Sequence, residues 1–174
     1  MFYTRNGDDG KTQVFGCDQK LSKSSAVAEA LGCLDEINSY LGIIKSKITE
    51  AKLQEVVLRI QNNLFIIQAQ VAGADKKIKD DEIKNLEDMI NNIEKELPPI
   101  KTFLISGANE MSAHFDFART IARLAERRVV AVNEEGIVKI DSKTLIFLNR
   151  LSSLLYAFAR QSAIKSGVEV APKY

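Results

Sequence analysis

The chain contains no tryptophan, one histidine, two cysteines and three prolines in 174 residues. Each shortage excludes something. Cys17 and Cys33 stand sixteen apart, with no Cys-x-x-Cys and no neighbouring histidine. A disulfide framework or a zinc site needs more ligands at closer spacing. Two reduced, partly buried thiols and a cytoplasmic location are therefore expected. The lone His114 has Glu110 four residues before it. A di-iron bundle needs two Glu-x-x-His pairs, a zinc protease His-Glu-x-x-His, and a serine hydrolase a nucleophile elbow. None of these occurs, so no metal-ligating residue is assigned and His114 reads as a surface or helix-cap residue.

An excess of charge of one sign is lacking too. There are 24 Lys and Arg against 23 Asp and Glu, a net charge of +1, whereas a general nucleic-acid binder shows a basic excess. No run approaches the roughly 18 uncharged apolar residues of a membrane span. The opening MFYTRNGDDG lacks the apolar segment of a signal peptide. Neither nucleic acid nor a membrane is expected as a partner. With 45% hydrophobic and 27% charged residues, the composition is that of a folded globule. A chain of about 150 residues buries about 68–70% of its unfolded surface. A single helical-bundle domain over residues 1–174 is expected.

The pattern that fills this frame is helical. Val27, Leu31, Leu34, Ile37, Leu41, Ile44 and Ile48 recur at gaps of three and four, one apolar stripe along a helix that Ser24 or Ser25 can cap. A second stripe runs from Leu53 through Ile60 and Leu64 to Val71, with Gly73 as its stop. A third runs from Ile83 to Leu97 and ends at Pro98-Pro99. After the apolar link Phe103-Leu104-Ile105, Ser106 or Asn109 caps a fourth, from Met111 through Phe115, Ala118, Ala122, Ala125 and Val129 to Val132, with Gly136 at its end. Asp141 or Ser142 opens a fifth, closed by Gly167. Five amphipathic stripes with short links predict an all-α, up-and-down five-helix bundle. Residues 1–23 are polar and irregular, and no strand is expected.

Two constellations stand outside the core pattern. Thr4-Arg5-Asn6-Gly7-Asp8-Asp9-Gly10-Lys11-Thr12 combines two glycines, which let backbone amides approach a ligand, with cationic and hydroxyl donors suited to phosphate. Gly10-Lys11-Thr12 matches the end of a P-loop, but Arg5 stands where its first glycine belongs. A phosphate-binding turn and a plain polar tail both remain open. On the fourth helix, Arg119, Arg123 and Glu126 fall within about 60° of one another at 100° per residue, a ridge beside the apolar stripe. A solvated face explains it, and so does an interface pair or a phosphate site, which fixed planar donors suit. Asp35, at the edge of the first apolar stripe, wants a cationic partner, and the fourth helix has arginines to offer.

These segments carry a resemblance. Thr4-Arg-x-Gly-Asp-x-Gly-x-Thr12 is similar to the start of the PduO-type ATP:cob(I)alamin adenosyltransferases. So are Ser22-Lys23 with Val27-x-Glu29-Ala30-x-Gly32-x-x-Asp35-Glu36-x-Asn38-Ser39, Ala118-Arg119-Thr120-x-x-Arg123-x-Ala125-Glu126-Arg127-Arg128, and Leu148-Asn149-Arg150-Leu151-Ser152. Four motifs in family order cover nearly the whole chain. The resemblance implies a homotrimer with active sites between subunits, transferring the 5′-deoxyadenosyl group of ATP to cob(I)alamin with release of triphosphate. It implies ATP with Mg²⁺ and cobalamin as the bound molecules. It assigns residues 1–23 as the ATP-binding segment, with Thr4, Arg5, Gly7, Gly10, Lys11 and Thr12 over the triphosphate and Lys23 nearby. Arg123, Glu126 and Asn149 contact ATP, Arg119 pairs with Asp35 of another subunit, and Phe103 displaces the lower axial ligand of cobalamin. It leaves open an adenosylcobalamin-dependent enzyme that takes the product and a flavin reductase that supplies electrons. The chain departs from the family pattern at Ser106-Gly107-Ala108-Asn109, at Leu124, and at Phe115-Asp116, where Leu-His is common. Two other readings of the same residues are a nucleotide-binding sensor without turnover and a structural helical interaction protein.

Overall fold

A computed structural model describes residues 3, 5–13, 20–167 and 171–172. The five expected helices form: α1 Ala26–Lys47, α2 Ala51–Val71, α3 Asp80–Glu96, α4 Glu110–Glu134 and α5 Ser142–Lys165. The boundaries follow from local chemistry. The Ser25 hydroxyl accepts from the Ala28 amide at the start of α1, and the Asp141 carboxylate accepts from the Lys143 amide at the start of α5. Asn109 and Ser112 form a reciprocal capping box on α4. The Asn109 amide also donates to the Ser162 carbonyl, so this cap pins the start of α4 against the end of α5. Gly136, at φ 68°, turns the chain after α4 in a conformation that a Cβ disfavours.

The helices pack in the spatial order α2, α1, α4, α5, α3. The three central helices carry the largest buried stripes. Leu34, Ile37, Leu41, Leu148, Leu151 and Phe147 are inaccessible to solvent. On α3 only Leu86 and Ile93 are buried, as an outer helix with eight acidic and five lysine residues between 75 and 96 requires.

Two expectations are corrected. Lys11–Gln13 and Lys20–Ser22 are short strands, β1 and β2, paired antiparallel with Thr12 opposite Leu21. Three residues are too few to display a period of two, and the pairing depends on a partner nine positions away. His114 is also no cap. Its Nδ1 lies 2.8 Å from the Tyr40 hydroxyl, which ties α4 to α1. Burial raises the Tyr40 pKa above its usual value. Cys33 is buried and unpaired with burial raising its thiol pKa, while Cys17 lies outside the described residues. No described helix is long and apolar enough to cross a membrane.

Candidate functional site

The site is built on α4. Its small residues Ala118, Ala122 and Ala125 are buried against the neighbouring helices. One position along, Arg119 and Arg123 emerge at the edge of that contact, into a cleft of about 640 Å³ between α4, α5 and the 100–106 link. Phe103, Asp116, Ser153 and Tyr156 line the same cleft. Phe103 is 81% exposed, an unusual placement for an aromatic ring in a well-packed chain. Arg123 is exposed and its side chain has no partner among the described residues. Arg119 is held more firmly. Its Nε is 3.7 Å from Asp116 Oδ1, and its guanidinium lies 5.8 Å from the centre of the Tyr156 ring, within cation–π range.

Further along the ridge, Asn149 on α5 donates to Glu126 at 3.0 Å. Its carbonyl oxygen accepts from Arg150, whose Nε donates to Glu87 at 2.8 Å. Glu126 and Asn149 are thus coupled to each other. Arg128 pairs with Glu29 at 3.6 Å across the α1–α4 contact.

The second constellation lines another cleft, of about 670 Å³, where Thr12 and Lys23 meet Leu31, Gly32 and Asp35 of α1 and Phe65 of α2. Gly7 and Gly10 lie in the turn before β1. Lys23 Nζ donates to the Gly7 carbonyl at 2.7 Å, and the Lys11 amide donates to Asp9. The amide of Lys11 beside it holds the Asp9 carboxyl below the usual range. Gly10 has φ 75° and Arg5 has φ 62°. For arginine that left-handed backbone costs about 1 kcal/mol or more. Arg5 stacks toward Tyr3 at 5.6 Å. Thr4 lies outside the described residues.

The predicted residues therefore fall into two groups. Arg119, Arg123 and Phe103 share one cleft, with Glu126 and Asn149 on the adjoining ridge. Thr12, Lys23 and Asp35 share the other, and Arg5, Gly7, Gly10 and Lys11 lie just before it in the chain. The two clefts have no lining residue in common. Asp35 is exposed and makes no ion pair among the described residues, and Arg119 finds Asp116 within its own chain. Sequence reasoning did not place Phe65, Tyr156 or Ser153 at a site. Phe65 sits inside the run Leu64-Phe65-Ile66-Ile67, yet its helical phase is off the stripe, and it is 59% exposed.

The molecule is thus a five-helix bundle whose arginine ridge adjoins a cleft edged by an exposed aromatic. A model of the family described as cobalamin adenosyltransferase matches residues 2–162. The corrinoid adenosyltransferase PduO of Citrobacter freundii is 34% identical over 165 residues, 91% of this chain and 48% of that protein. A further corrinoid adenosyltransferase of Citrobacter freundii is 32% identical over 165 residues, 91% and 92% of the two chains. A variant of the PduO-type ATP:corrinoid adenosyltransferase from Lactobacillus reuteri, solved in complex with cobalamin and ATP, superposes with a TM-score of 0.91 at 31% identity over 99% of this chain and 97% of that one. The chain belongs to the cobalamin adenosyltransferase family of enzymes. It spans about half the length of the first of these relatives.

Proposed function

We propose that this chain transfers the 5′-deoxyadenosyl group of ATP to the cobalt of cob(I)alamin, in sites completed between the subunits of a homotrimer. Residues 1–174 act as one bundle domain and residues 1–23 as its ATP-binding segment. The observation that carries the reading is the pairing, in one cleft, of an unpartnered arginine with an exposed phenylalanine. One suits a polyphosphate and the other an apolar macrocycle.

The chemistry asks little of protein nucleophiles. Cobalt(I) is itself the nucleophile. Its electron pair attacks C5′, the C5′–O bond breaks, and that bond's pair leaves with triphosphate while cobalt becomes formally +3. The chain's work is to align C5′ with cobalt and to stabilise the charge growing on the leaving group. Arg123 does the second from α4. Arg5, Lys11, Thr12, Lys23 and the amides freed by Gly7 and Gly10 do it from the N-terminal turn. Glu126 and Asn149 orient the nucleotide. Phe103 fills the lower face of the corrinoid, which keeps water and an axial base from cobalt and makes cob(II)alamin easier to reduce. A flavin reductase is the class of partner that would deliver the electron.

That two clefts carry the two halves of the ATP site favours an intersubunit arrangement. Asp35 of one subunit would meet Arg119 of the next. Among the described residues no three His, Cys, Asp or Glu gather as a metal site. The fitting place for Mg²⁺ is on ATP itself, bound mainly by phosphate oxygens and water. The test is anaerobic mixing with cob(I)alamin and Mg-ATP. A photolabile cobalt–carbon bond is expected, and failure to form one sinks the reading.

A further inference from the structure

Among the described residues, Asp116 is the one carboxylate that lines the cleft holding Phe103 and Arg123. Its residue is only 9% exposed, unusual for an acid unless it is paired. Oδ2 accepts from the Gly107 amide at 3.3 Å, four residues after Phe103. Oδ1 faces Arg119 Nε at 3.7 Å. Gly107 has φ 89°, a conformation that is unstrained for glycine but one of many open to it, so an outside acceptor helps to fix the turn. Arg119 Nε is buried and has no hydrogen bond among the described residues; at 3.7 Å it is within ion-pair range of Asp116 but beyond a hydrogen bond. The carboxylate charge therefore helps to keep that donor in place, together with the Tyr156 ring.

We infer that Asp116 is a positioning residue for corrinoid binding: one oxygen anchors the turn behind Phe103, and the other seats Arg119 against Tyr156. Ile100, Phe103 and Ile105 are all more than half exposed, so the link carrying Phe103 has little burial of its own. Without the Asp116 hold, the ring would sample many positions over the cleft instead of one. The proposed ATP contacts of Arg123, Glu126, Asn149 and the N-terminal turn are made by residues other than Asp116, and Arg119 keeps its contact with Tyr156 for the proposed pair with Asp35 when Asp116 is changed. Its removal should separate the two substrates.

The inference rests on the corrinoid reading for its kinetics but not for its geometry, and the experiment keeps these apart. The chain has no tryptophan, so Phe103→Trp places a single fluorophore on the link. In that background, Asp116→Asn and Asp116→Ala should lower tryptophan anisotropy and raise acrylamide quenching, with Ala exceeding Asn because Asn still offers Gly107 an acceptor. In the otherwise unaltered chain, Asp116→Asn should raise the KM for cob(I)alamin about tenfold, in line with losing a charge-assisted contact, and move the KM for ATP by less than about threefold. Unchanged tryptophan mobility in both variants, or equal loss for both substrates, overturns the inference. Inactivity of the unaltered chain with a mobile tryptophan in the variants refutes the corrinoid reading and leaves the anchoring role standing.

Discussion

The two clefts are built by different means. The α4–α5 cleft is framed by helices with fully buried stripes; Asp116 faces Arg119 at its edge, and on the adjoining ridge Glu126, Asn149, Arg150 and Glu87 are linked in series. The N-terminal cleft depends on a turn and a two-stranded ribbon held by a few exposed contacts, such as Lys23 to Gly7 and Lys20 to Asp9. Isolated ribbons are marginal in water, and segments with few buried contacts open most readily. A stiff cleft suits a large rigid ligand whose axis must be controlled. A loosely held turn suits a flexible polyphosphate that orders it on binding. The strained φ of Arg5 fits that second case, because a bound anion can offset its cost.

Substitutions can break this contrast. The largest effect is expected from Arg123→Ala, which should lower turnover by about 10²–10³-fold, the usual loss for one donor aimed at developing charge. Circular dichroism and melting should hardly move, since the side chain is exposed and unpartnered. Arg119→Ala should weaken assembly as well as turnover, by up to about 3 kcal/mol if it loses a buried pair. Sedimentation velocity should show the Arg123 variant assembled and the Arg119 variant dissociating, and identical profiles would contradict the roles assigned to them.

In the other cleft, Gly7→Ala places a Cβ 3.1 Å from Lys23 Nζ and 3.3 Å from the Lys11 carbonyl. Lys23 must shift, and the KM for ATP should rise by about tenfold with corrinoid affinity preserved. The smallest effect concerns stability away from both clefts. Arg59 donates two hydrogen bonds to Glu82 at 2.8 Å, and Asn63 adds a third donor. Hydrogen bonding from Arg59 is the main reason the Glu82 pKa lies below its ordinary value near 4.5. A depressed carboxyl contributes stability above the unfolded value and loses it as pH falls through the folded one. Unfolding from pH 7 to pH 3 should therefore show Glu82→Gln less stable at neutral pH by under about 1 kcal/mol, discounted for the exposure of Arg59. The difference should vanish at the acid end.

Much of the bundle could be read from spacing. Ser25, Asn109 and Asp141 were candidate caps and are the caps, and Gly73, Gly136 and Gly167 fall just after the helices they were expected to end. Caps and apolar stripes act over three or four residues, so they survive without knowledge of the fold. The arginine ridge was legible for the same reason. The ribbon 11–13/20–22 was not, because its pairing is non-local and each strand is short. The Tyr40–His114 contact spans 74 positions, and nothing local marks either residue as a partner. Phe65 was hidden in an apolar run, where only its helical phase could have set it apart.

By itself the sequence determined that five amphipathic helices would form, where they start and stop, and that arginine rather than histidine or cysteine would concentrate on one of them. Those properties follow from periodicity, capping and composition, which are local. Only the tertiary structure decided that Asp116 rather than Asp35 faces Arg119 within the chain, that Phe103 stands exposed beside Arg123, and that the two constellations occupy separate clefts. These depend on which helix faces pack together, and that is settled by burying all five apolar stripes at once.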